Sequence, residues 1–95
     1  GVAEDRAEAV KWYSKAAEQG IANAQNNLGV SYLNGKGVPE DNVEAYKWFN
    51  LAAAQGVEVA KENRDLAVKK MTAEQIAEAQ RLSSEWKPIS EREPK

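Results

Sequence analysis

The chain has 95 residues, 42% of them hydrophobic and 29% charged, and a formal net charge of −2. With 13 basic against 15 acidic residues there is no cationic excess to hold a phosphate backbone, which argues against nucleic-acid partners. Cysteine and histidine are absent; this excludes disulfides, thiolate nucleophiles and Ser-His-Asp chemistry, and no apolar run approaches the roughly 20 residues that span a bilayer.

In chain order, Asp5 with Glu8 three residues later has capping-box spacing, with Asp in the cap role, and opens a helix from about Arg6 to Glu18. Gly20 falls where a helix needs a left-handed terminal residue. A second helix runs from about Ala22 to Leu33 and stops at Asn34-Gly35; Gly37 and Pro39 punctuate the following loop. Asp41 and Glu44 repeat the cap signal for a third helix over about 42–54, followed by Gly56 and a fourth helix over about 58–70. Thr72 and Gln75 open a fifth helix over 73–86, with Ile76, Ala79, Leu82 and Trp86 on one face. Pro88 ends helicity, and residues 87–95 read as a flexible tail.

These elements repeat at an offset of 36 residues. Gly1-Val2 matches Gly37-Val38, Lys11-Trp12 matches Lys47-Trp48, Ala16-Ala17 matches Ala52-Ala53, and Gln19-Gly20 matches Gln55-Gly56. On a helical wheel, Ala9, Trp12, Tyr13, Ala16 and Ala17 share a face, as do Ala45, Trp48, Phe49, Ala52 and Ala53; rings between alanines are expected in the core. The third helix is apolar nearly all round, which predicts burial between neighbours. Gly29, inside a helix at a cost of about 1 kcal/mol relative to alanine, predicts a close helix–helix approach. The fold class is therefore all-α, a solenoid of helix-turn-helix repeats. A single domain over 1–86 divides into unit one (1–36), unit two (37–71) and a capping helix (72–86), since stacked repeats need a terminal cap with a polar outer side.

The pattern Ala9-x-x-Trp12-Tyr13-x-Lys15-Ala16-Ala17-x-Gln19-Gly20, continued by Ala24-Gln25-x-Asn27-Leu28-Gly29-x-x-Tyr32-x-x-Gly35-x-Gly37-Val38-Pro39-x-Asp41, resembles the Sel1-like repeat, a relative of the tetratricopeptide repeat. The resemblance implies a right-handed superhelix of helix pairs. It also implies an adaptor or scaffold role toward a protein or peptide partner, and frequent occurrence in periplasmic or secreted bacterial proteins. Unit two departs from the pattern, with Arg64-Asp65-Leu66-Ala67-Val68 where unit one has Leu28-Gly29-Val30-Ser31-Tyr32. Its second helix is thus expected to meet the capping helix rather than another repeat. The sequence is expected to be the C-terminal end of a longer array, because Gly1-Val2 falls at a loop position.

No catalytic residue, cofactor site or metal site is expected. Gly35-Lys36-Gly37 follows a helix, not a strand, and reads as an inter-repeat loop rather than a phosphate cradle. The carboxylates fall at caps and on solvent faces, which disfavours a hydrolase built on paired acids. The polar set that stands out lies opposite the apolar faces. In related helical repeats the first helix of each pair lines the concave surface, so Lys11, Ser14, Lys15, Lys47 and Asn50, with Leu51 as an apolar contact, form the expected peptide groove. The expected function is a non-catalytic protein-interaction module, the alternative a purely structural cap; the first helix, without a preceding neighbour, would favour self-association.

Overall fold

The computed structural model describes residues 1–92. These form α1 (Val2–Glu18), α2 (Ala22–Asn34), α3 (Asn42–Ala54), α4 (Glu58–Val68) and α5 (Ala73–Glu85), followed by a 3-10 turn at Ile89–Glu91. No strand occurs among the described residues, and the arrangement is an α-solenoid. Among the described residues no helix is long and apolar enough to cross a membrane.

The helix ends follow local chemistry. Asp41 accepts a hydrogen bond from the Glu44 N–H at 3.1 Å and opens α3. Thr72 and Gln75 make the reciprocal pair of a capping box, at 3.1 and 2.9 Å. The first helix differs from expectation: α1 begins at Val2, so Asp5 lies inside its first turn rather than capping it. The reason is at Ala3, which stands where unit two has Pro39. Proline pushes its predecessor out of the helical region and delays α3; alanine lets α1 run a turn further back.

Packing is organised around α3, which touches α2 most extensively, then α4 and α5. The first contact is made possible by Gly29. A methyl group there would lie 2.6 Å from two ring carbons of Phe49, well inside van der Waals contact. Phe49, fully buried, joins Leu33, Ala45, Tyr46, Ala67 and Ala79 in one core cluster. A second cluster gathers Val10, Ala17, Ala24, Leu28 and Trp48 between α1, α2 and α3. Gly37 seats the inter-unit loop: its φ is +83°, and a side chain would meet the Arg6 carbonyl at 2.5 Å. Gln25, fully buried, donates to the Ala17 carbonyl at 3.2 Å and accepts from Gln55 at 2.9 Å, while Gln55 also donates to the Gly20 carbonyl at 3.0 Å. The repeated Gln-Gly thereby ties the end of α3 to the turn between α1 and α2.

α5 leaves the repeat. α3 packs on α2 and has little backbone contact with α1; the next rung would pack on α4 in the same way. Instead α5 packs chiefly on α3 and has little backbone contact with α4, which it meets through the cluster that holds Ala67 and Ala79. Val59 and Leu66 of α4 stay exposed as a result. The expected flexible tail is also different. Pro88 lies against the Gly20 turn, residues 89–91 make the 3-10 turn, and Arg92 pairs with Glu18. A carboxylate partner and a rigid proline fix a segment that composition alone marks as mobile; residues 93–95 of that tail lie outside the described residues.

Two outcomes are expected from chemical denaturation. Gly29→Ala and Gln25→Leu should each lower stability by about 1–3 kcal/mol, the first by overpacking and the second by orphaning buried partners. Burial, reinforced by the negative charges of Glu44, Asp41 and Glu18, pushes the Tyr32 phenol above its ordinary value. The unfolded chain then loses this proton first, so stability should fall as pH rises past about 10. Tyr32→Phe should flatten that slope above about pH 10.

Candidate functional site

The face expected to form the groove is lined by α1 and α3, and the six residues do not share one environment. Lys11 is exposed one turn from Lys15 on α1. Ser14 and Lys15 line an open depression of about 480 Å³ together with Glu18, Gln19 and Ile89. Lys47 is mostly shielded: its side chain keeps 14% exposure, pairs with Glu44 at 3.1 Å and lies 4.3 Å above the Trp48 ring.

Asn50 and Leu51 lie under α5. Asn50 donates to the Ser83 hydroxyl at 2.9 Å and accepts from Arg64 at 2.8 Å, so both ends of its amide are engaged. Leu51 packs in the second core cluster with Trp86. The strip is thus open along α1 and occupied along α3. The occupant is the chain's own C-terminal helix, which amphipathicity reveals but whose docking partner it does not.

Four residues that the sequence did not assign to the groove shape this face: Trp86, Glu18, Arg92 and Ile89. The Trp86 ring meets the Trp48 ring edge-on, with centroids 5.9 Å apart and planes at 74°. Its indole N–H donates to Glu18 at 3.1 Å, and the Arg92 guanidinium pairs with the same carboxylate. Ile89 then forms the apolar edge of the depression. Only a contact between residues 68 positions apart in the chain exposes Glu18 as a docking point.

Trp12 is the clearest correction. Expected in the core beside its repeat partner, it is 58% exposed, whereas Trp48 is 2% exposed. Residues of α1 and α2, together with Trp86, cover Trp48; nothing among the described residues covers the corresponding face of α1. The Trp12 indole donates to Glu8 at 2.9 Å, and the Lys15 ammonium sits 4.9 Å from its ring centre. An exposed indole therefore adjoins the depression through Lys15.

Comparison with known proteins matches this arrangement to a family. The Sel1 repeat model matches residues 1–21 and 22–57, more than half of the chain. The chain belongs to the Sel1 repeat family. Its full match spans α2 and α3, one helix out of step with the division at 1–36 and 37–71; a periodic array can be cut at either helix. The match stops before α4, where the Leu-Gly-x-x-Tyr pattern is lost. Among solved structures this Sel1 chain is similar to c5321, a protective antigen present in uropathogenic Escherichia coli strains and displaying an SLR fold. Identity is 40%, the TM-score 0.80, and the match covers 85% of this chain. The chain spans only 18% of that protein's length. No curated protein matches the sequence. Sel1 repeats are in general protein-interaction modules.

The contrast between the two tryptophans has a direct readout. Trp48→Ala should cost about 3–5 kcal/mol of unfolding free energy, the range for a buried ring. Trp12→Ala should change it by no more than about 0.5 kcal/mol, as for exposed positions. Urea midpoints of the two variants against the parent check this.

Proposed function

We propose that this chain is a non-catalytic protein-interaction module, with its recognition surface on the open half of the face described above. Lys11, Ser14 and Lys15 of α1 contribute its polar part, and the Trp12 ring and Ile89 its apolar part. The supporting observation is the exposed Trp12 indole, held by Glu8 and flanked by Lys15 at the rim of a depression. Large exposed aromatics beside cations are the residues that dominate protein interfaces when a partner covers them. Two lysines one turn apart select a peptide carrying carboxylates.

A non-catalytic role is supported by the state of the carboxylates as well as by the missing Cys and His. The hydrogen bond from Arg81 holds the exposed Glu78 carboxyl below its usual range, which keeps it ionised as half of a surface ion pair. A second reading, a structural cap closing a repeat stack, is favoured by α4, where Arg64 and Asp65 replace Leu28, clustered with Trp48, and Gly29, packed against Phe49. The two roles use different faces and are compatible.

Selection of peptides from a displayed library against the immobilised chain tests the interaction reading. Acidic sequences should be enriched. Their affinity should drop at least about tenfold with Lys15→Glu or Trp12→Ala and stay unchanged with Glu62→Lys on α4. Binders insensitive to both α1 substitutions would contradict the assignment.

A further inference from the structure

The repeat does not dictate where α5 sits, and its contacts read as those of a docked ligand. α5 packs chiefly on α3, with Ala79 in a cluster that also holds Ala67 of α4, and its buried residues are Ala79 and Ser83, one turn apart. Those small side chains let its backbone approach α3, and Ser83 faces Asn50. Gln80 donates to the Tyr46 hydroxyl at 3.2 Å. Three residues beyond Ser83, Trp86 closes on Trp48 and donates to Glu18, and Arg92 pairs with the same carboxylate. The opposite side of α5 is solvated, with Arg81 bridging Glu78 and Glu85 at 2.7 and 2.9 Å.

We propose that α3 and the C-terminal end of α1 form a receptor groove for an amphipathic helix, and that α5 is its detachable resident. The partner is a helix with two small residues one turn apart, the second carrying a hydroxyl toward Asn50, then an indole and a following cation toward Glu18. The seated segment is the template for that chemistry. Detachment is local because α5 is the last helix of the described chain and buries completely only two small side chains, Ala79 and Ser83, so little apolar area is given up when it leaves. The Phe49–Gly29 contact is made between α3 and α2, and α5 adds Ala79 to the same core cluster. A second copy of this chain does not take the groove. Its helix is identical to one already tethered at an effective concentration of about millimolar, so exchange would lose translational freedom without new contacts. A partner helix with larger apolar side chains at the seats of Ile76 and Leu82 gains where the resident is only half-buried. The groove meets the α1 surface above at Glu18 and Ile89 but does not use Lys11, Trp12 or Lys15, so the substitutions at Trp12 and Lys15 test that surface separately.

The probe is a fluorescent peptide of residues 72–92, titrated into the full chain and into Ala79→Arg and Trp86→Ala chains, which weaken the tethered competitor without altering the groove. The variants should bind at least about tenfold more tightly than the parent, at one peptide per chain by sedimentation. Equal affinity for all three chains overturns the proposal, as does absence of binding to all three. Variants that dimerise without peptide also overturn it, since the groove would then belong to a second copy. Hydrogen exchange of the parent keeps the test open should either variant unfold: α5 amides must exchange at least about tenfold faster than α3 amides, and equal protection contradicts a detachable helix.

Discussion

The Phe49 ring packs closely against the α2 backbone at Gly29, and the stacking of one unit on the next depends on that approach. A side chain at position 29 would hold α2 and α3 apart and open the cluster built on Leu33, Tyr46 and Phe49. The glycine costs helix stability locally and returns it as contact area, since a ring against bare backbone excludes water over its whole face. Where the contact is absent the solenoid changes character. α4 carries Asp65 at the position of Gly29, and no helix of the described chain stacks on it as α3 stacks on α2.

From that constraint follows the shape of the face that a partner could meet. Once α4 cannot receive another rung, α5 finds its apolar cover on α3, whose sequence is apolar nearly all round and therefore has a second side to bury. This placement brings Trp86 over Trp48 and draws the following residues across the end of α1, where Glu18 accepts both the indole and the Arg92 guanidinium. The same repeat residue thus has two fates. Trp48 is enclosed because unit one and α5 surround it, and Trp12 is open because nothing among the described residues does.

The repeat, the helix-turn-helix reading and the helix ends at Asp41 and Thr72 were legible because they rest on local chemistry: an offset between like residues, a cap three residues from its acceptor, glycine at a left-handed turn. The close approach at Gly29 was legible for the same reason, since glycine inside a helix demands an explanation in packing. Other features were not local. Burial of Trp12 was inferred by symmetry with Trp48, but burial belongs to the neighbour and not to the residue. The start of α1 turned on the difference between Ala3 and Pro39. The path of α5 depended on contacts spanning much of the chain, such as Glu18 with Trp86, which no periodicity encodes. Of the expected groove residues, Asn50 and Leu51 lie beneath α5, because pattern shows that a face is free of its own repeat, not what else folds over it.

The account stands on α5 lying across α3 rather than stacking on α4. Proton NOEs from the Trp86 indole of the parent chain in solution test this most directly. The account predicts cross-peaks to the Trp48 ring, whose centre is 5.9 Å away, and to the side chain of Glu18. Cross-peaks to Glu62 or Leu66 of α4, with none to Trp48, would contradict it.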